Sequence, residues 1–126
     1  MNTIRATLKD IKSNGSLNLL EFESLGEVVK VLTLELPKEL KIGSNVTLKF
    51  KSFSLIIGEN VLVSNRFFGE IIEIEEFDIL SRVVIKSDLG LFETNILSEN
   101  IESLKKKKDV TFFIKPSEIV IDEVLS

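Results

Sequence analysis

Short alternations of apolar and polar residues succeed one another along the chain and stop at turns rich in glycine and asparagine. Ile4, Ala6 and Leu8 alternate with charged or polar neighbours, and Leu48, Phe50 and Ser52 alternate with Lys49 and Lys51. Val29, Val31 and Thr33 continue the pattern less cleanly beside Lys30 and Leu32. Further on, Ile72, Ile74 and Phe77 stand among Glu70, Glu73, Glu75 and Glu76, and Val83-Val84-Ile85 is a short apolar run. A period of two predicts half-buried strands. Asn14-Gly15, Leu25-Gly26 and Asp88-Leu89-Gly90 predict hairpin turns. Two stretches break the strand pattern and predict single helical turns. Leu36-Pro37-Lys38-Glu39-Leu40 places Pro at a first helical position. Ser98-Glu99-Asn100-Ile101-Glu102 opens on a capping Ser.

The pattern occurs twice. At a shift of 64, Val46-Thr47-Leu48-Lys49-Phe50-Lys51 falls on Val110-Thr111-Phe112-Phe113-Ile114-Lys115, Leu40 on Leu104, and Gly26 on Gly90. Near the start the shift is 63, with Asn2 on Asn65, Ala6 on Gly69, Leu8 on Ile71 and Ile11 on Ile74. One extra residue in the second copy, between Ile74 and Ser81, accounts for the change, because a tight turn accepts an insertion cheaply. The chain therefore divides into two copies of one unit, residues 1–60 and 64–126, joined near Gly58 to Ser64. Four or five short strands and a helical turn in a unit of about 60 residues suit a Greek-key barrel of the OB type, and a six-strand sandwich shares the pattern. A unit this small exposes much of its surface, so each copy is expected to pack against the other, against a second chain, or both.

Composition narrows the chemistry. The 126 residues include no Cys, His, Trp or Tyr. Thiolate chemistry, disulfides, imidazole bases and His-ligated metals are thereby excluded. An enzyme is not expected. The net charge of −4 argues against a nucleic-acid partner, which calls for a basic footprint. No apolar run reaches the roughly 20 residues of a membrane helix. The opening Met1-Asn2-Thr3-Ile4-Arg5 leads straight into alternating sequence with no signal-peptide core, so a cytoplasmic protein without a membrane partner is expected.

The order of features in each copy resembles the molybdate-binding Mop domain, part of the larger TOBE family. In the first copy the resemblance runs from Asn2-x-Ile4-x-Ala6-x-Leu8-x-x-Ile11 through Leu32-Thr33 to Leu40-Lys41-Ile42-Gly43-Ser44-Asn45-Val46 and Phe50-Lys51-Ser52. In the second it runs from Asn65-x-Phe67-x-Gly69-x-Ile71-x-x-Ile74 through Leu104 to Val110 and Ile114-Lys115-Pro116-Ser117-x-Ile119-x-Ile121. Two copies in one chain are similar to the tandem di-Mop proteins. The resemblance implies an all-β fold of two small OB-like Greek-key barrels in tandem, each with one short helical turn. It implies a molybdate or tungstate ligand held between Mop units in a homo-oligomer, a dimer or trimer, for storage, buffering or homeostasis. It implies neither an organic cofactor nor a bare metal cation. The alternative within the family is a TOBE-type interaction or regulatory module that has lost oxyanion binding.

A tetrahedral dianion offers only acceptors, so its site needs N–H, hydroxyl, amide and cationic donors, and a carboxylate beside it would repel it. The resemblance places those donors at Lys51, Ser52, Lys115, Ser117, Thr33, Asn2, Asn65 and Ser64. Each has a plainer alternative. The two Lys fit solvated strand faces, Asn2 and Asn65 fit as residues that fix strand register through main-chain bonds, and Thr33 fits by strand propensity. The copies keep different donors. Thr33 corresponds to Leu97, Ser117 corresponds to Phe53, and Ser64 stands where the family often has Arg, with Arg66 two positions beyond. Lys105 to Lys108 reads as a solvated loop, and Glu70, Glu73, Glu75 and Glu76 as a solubilising face whose carboxylates do not converge.

Overall fold

The computed structural model describes residues 2–59 and 64–126, so part of the expected joining segment, with Met1, lies outside the described residues. Strands β1 (Asn2–Asn14), β2 (Leu17–Ser24) and β3 (Glu27–Thr33) form a meander, followed by β4 (Asn45–Phe50) and the short β5 (Leu55–Ile57). The second half repeats the series as β6 (Arg66–Glu75), β7 (Leu80–Ser87), β8 (Gly90–Leu97), β9 (Asp109–Ile114) and β10 (Val120–Val124). Single 3-10 turns at Ser52–Ser54 and Pro116–Glu118 occupy equivalent places, and a one-turn helix α1 (Glu102–Lys105) precedes β9. In the first half, the stretch expected as a helical turn is one turn closed by Leu40 N–H on the Pro37 carbonyl at 3.1 Å. The protein is all-β, built as two OB-like units in tandem.

The last strand of each half crosses to the other. One sheet has the order β10-β4-β1-β2-β3 and the other β5-β9-β6-β7-β8, with every pairing antiparallel. Ile56 of the first half thus lies opposite Phe113, and Ile121 of the second half opposite Leu48. Exchange suits units that are marginal alone, because each sheet closes only with the other's strand. The core is continuous across the halves as a result. Phe50 meets Phe92 edge-on at 5.3 Å, Phe92 meets Phe112 at 6.0 Å, and Phe112 meets Phe67 at 5.8 Å. Such pairs contribute about 0.5–1.5 kcal/mol each beyond their burial.

Register corrects the position of the extra residue. Ile11 pairs with Leu20 as Ile74 pairs with Val83, and Leu19 with Leu32 as Arg82 with Asn95. The 63-residue offset therefore holds through both hairpins, and 64 begins only at β4 and β9. The insertion lies in the connection before β9, where it shifts no register. Inside a hairpin it would turn side chains to the wrong face. Gly26 is accordingly equivalent to Leu89 and not to Gly90, and Thr33 to Ile96 and not to Leu97. Bulges at Leu8/Asp10 and Ile71/Glu73 also fall at equivalent positions.

Gly69, equivalent to Ala6, compensates for larger neighbours. A Cβ there would lie 2.5 Å from Ile85 Cγ2 and 3.1 Å from both the Phe112 ring and the Lys86 carbonyl. Gly69→Ala is expected to lower stability by about 1–3 kcal/mol through overpacking of the buried Ile85 and Phe112. A lowered urea midpoint at unchanged m-value checks it, and an equal or higher midpoint contradicts it.

Candidate functional site

The repeat positions singled out in the sequence gather into two related clusters, each built from both halves. Asn2 and Asn65 are both buried and make the same bonds. The Asn2 amide donates to the Glu93 carbonyl at 2.9 Å and accepts from the Glu93 N–H at 2.8 Å. The Asn65 amide donates to the Lys30 carbonyl at 2.7 Å and accepts from the Lys30 N–H at 2.6 Å. Glu93 and Lys30 stand mid-way along β8 and β3, the edge strands of the opposite sheets. Each Asn therefore supplies the donor and acceptor that a neighbouring strand would otherwise have given, clamping one half to the other.

The Lys-containing turns close the clusters. Exposed Lys51 and half-buried Ser52 follow β4, and the turn they open packs beside β8. There the buried Thr94 hydroxyl sits 3.1 Å from the Ser52 carbonyl and 2.7 Å from that of Leu55, within donating distance of both. Exposed Lys115 and Ser117 follow β9, and their turn packs beside β3. Ile114 N–H bonds the Asn65 carbonyl at 3.1 Å, which sets Lys115 one residue from Asn65's partner. Exposed Ser64 and Arg66 flank Asn65, and the Arg66 guanidinium lies 5.9 Å above the Phe68 ring. Thr33 is not part of either gathering. It lies three residues past Lys30, and its hydroxyl donates to the Glu35 carbonyl at 3.1 Å.

Thus Asn2 and the turn that follows Lys51 both lie beside β8, while Asn65 and the turn of Lys115 and Ser117 both lie beside β3, with Ser64 next to Asn65 in the chain. Sequence reasoning missed Lys30, Glu93 and Thr94. The 63-residue offset makes Lys30 and Glu93 equivalent positions but does not mark either as an asparagine's partner. Lys51, Ser64, Lys115 and Ser117 are open to solvent, and two clefts lie elsewhere. One of 730 Å³ is lined by Arg5, Thr7, Ser24 and Asn45, and one of 580 Å³ by Gly69, Lys86, Ser87 and Asp109, the equivalent place in the second half.

Other charges form ion pairs. Arg82 is shared by Glu73 at 2.6 Å, Glu75 at 3.1 Å and Glu93. Hydrogen bonds to Glu93 and Glu73 hold its pKa above the ordinary arginine value, and the bond from Arg82 holds the Glu93 carboxyl below the ordinary value. Lys105, Lys107 and Lys108 of the lysine run are likewise paired. Lys105 pairs with Glu102 at 2.8 Å and with Glu76, Lys107 with Glu59 at 3.8 Å, and Lys108 with Glu70 at 3.6 Å. Among the described residues no three acidic groups are placed to hold a metal ion. No helix among them is long and apolar enough to cross a membrane.

This arrangement defines a class by its fold: tandem OB-like units that exchange their last strands and clamp each other through paired asparagines. A solved structure of the same fold is that of the cytoplasmic molybdate-binding protein ModG, in a crystal form with molybdate bound. It superimposes with a TM-score of 0.85 at 17% sequence identity, covering 95% of this chain and 94% of that one. The likeness is one of fold and extends over both halves. No family model and no curated protein sequence matches the chain.

Proposed function

We propose that this protein is a cytoplasmic oxyanion carrier of tandem Mop type, which binds molybdate or tungstate for storage, buffering or homeostasis and catalyses no reaction. The observation that supports this best is the placement of Lys51-Ser52 and of Lys115 with Ser117 on equivalent turns, each against a strand of the other half, in a fold shared with a protein solved with molybdate. The donors are those a tetrahedral dianion requires: ammonium groups, hydroxyls and main-chain N–H groups. Because the clusters are open, the ligand sits where a second Mop unit covers it, in a dimer or trimer of the chain. Among the described residues sixteen large apolar side chains stand exposed, Phe53, Ile56 and Phe68 among them, which suits such an assembly.

The second reading, a TOBE-type interaction module without a ligand, has one observation in its favour. The amides of Asn2 and Asn65 and the Thr33 hydroxyl are already engaged by main-chain groups. Titration calorimetry and thermal melts with molybdate, tungstate and sulfate separate the two. Oxyanion binding is expected to release or absorb heat and, at a hundredfold excess over Kd, to stabilise the fold by about 2.7 kcal/mol. Absence of heat and of any melting shift with all three anions, at micromolar protein, rejects the carrier and leaves the module.

A further inference from the structure

We propose that the oxyanion is held at the Asn65 cluster and excluded from the Asn2 cluster, and that the charge on the residue each asparagine clamps, Lys30 or Glu93, decides between them. The inference rests on the oxyanion reading above. The two places share their main-chain geometry: each asparagine makes the same pair of bonds, and each Lys-bearing turn packs beside the clamped strand. The amides are used up alike in both, so they do not discriminate. The side chains carried on that common frame differ in sign.

At the Asn65 cluster the common frame carries three cations. Lys30 is on the clamped strand, Arg66 follows Asn65, and Lys115 begins the turn. Their nearby counter-charges are Glu21, paired to Lys30 at 2.9 Å, and Glu118 on the turn, which leaves the cluster positive. At the Asn2 cluster the equivalents of Lys30, Arg66, Glu21 and Glu118 are Glu93, Thr3, Val84 and Ser54. Lys51 is the one side-chain cation at these equivalent positions, and Glu93 is the one carboxylate, its partner Arg82 already shared with Glu73 and Glu75. At these equivalent positions the Asn2 cluster is neutral, whereas the Asn65 cluster keeps a positive excess. A dianion doubles every such difference. At surface dielectric, and within about one Debye length, such a contrast corresponds to about a ten-fold preference for the Asn65 cluster.

The test uses the full chain, molybdate as probe, and Lys30→Glu and Glu93→Lys singly. Calorimetry gives affinity, and elemental analysis after gel filtration gives the molybdenum-to-protein ratio. Lys30→Glu is expected to weaken binding about ten-fold or more, and Glu93→Lys to keep the original affinity while doubling the ratio. Anomalous scattering from molybdate-soaked crystals of the unaltered chain is expected beside Lys115 and not beside Lys51. Both side chains are replaceable without touching the asparagine bonds, which use only main-chain atoms of residues 30 and 93. If either charge reversal fails to fold, Lys30→Gln and Glu93→Gln carry the same comparison with smaller shifts in the same directions. A chain that binds molybdate while Lys30→Glu changes affinity less than two-fold and Glu93→Lys leaves the ratio unchanged overturns this inference alone, as does anomalous signal beside Lys51. A chain that binds no molybdate overturns the oxyanion reading and this inference with it.

Discussion

A chain ending at Glu118 is expected to show no cooperative unfolding transition at 25 °C. The missing segment carries β10, and β10 belongs to the sheet of the first half. Its removal takes away Ile119, 1% exposed, together with half-buried Ile121 and Val124. It also strips the β4 edge of its pairings from Val120 opposite Lys49 to Val124 opposite Val46, and frees the Asn45 carbonyl, which accepts from Leu125 N–H at 2.7 Å. Loss of a buried Ile costs about 2–5 kcal/mol, and each lost hydrogen bond about 1 kcal/mol. The sum rivals the roughly 5–15 kcal/mol that holds a domain of this size. Far-ultraviolet circular dichroism through a urea titration is the measurement, with Ile119→Ala as a graded companion about 3 kcal/mol less stable. A truncated chain that keeps a sharp transition near the original midpoint would show that the first half stands without its borrowed strand.

Asn65→Ala is expected to cost about 3 kcal/mol and to lower Tm by about 10 °C. Two bonds to Lys30 vanish, at 2.6 and 2.7 Å. The backbone adds its own penalty. Asn65 has φ of +67°, a conformation Asn tolerates and Ala resists by about 1–2 kcal/mol. Asn2 makes the same two bonds from ordinary strand backbone, so Asn2→Ala is expected to cost about 2 kcal/mol. Asn65→Gly removes the bonds without the conformational strain and should fall close to Asn2→Ala. Equal losses for Asn65→Ala and Asn2→Ala in differential scanning calorimetry would show that the backbone conformation contributes nothing.

The strands were legible because alternation at Ile4-Ala6-Leu8 or Val46-Leu48-Phe50 leaves only one face to bury. The repeat was legible as residue coincidence. Its offset was misplaced because Gly26 and Gly90 matched by identity, whereas their backbones do different work. Gly26 shares a positive-φ turn with Leu25, while Gly90 already pairs with Ser87 in the strand. Strand exchange left no mark in the pattern. Leu55-Ile56-Ile57 and Ile119-Val120-Ile121 bury the same face whichever sheet receives them, and only the third dimension selects the partner.

The candidate site divides similarly. Lys51 and Lys115 were visible by equivalence, and the structure brings each to the other half's strand. Lys30 and Glu93 were invisible as partners of the asparagines because the clamp uses main-chain atoms, which every residue possesses. The acidic stretch and the lysine run looked like independent features in sequence. Glu70 and Glu76 in fact take Lys108 and Lys105, so opposite charges far apart in the chain cancel across a single surface.

The exchanged strands also set a timetable for biosynthesis. β4 ends at Phe50, yet its neighbour β10 is complete only at Val124, and Asn2 finds its partner at Glu93. At about 5–20 residues per second, the first sheet waits on the order of 4 to 15 s between finishing its own strands and receiving its last one. Throughout that interval β4 presents an unpaired edge, and the strand that emerges next to fill such a vacancy can belong to another nascent copy on the same message. Translation speed across residues 51–124 thereby becomes a determinant of whether strands are exchanged within one chain or between two.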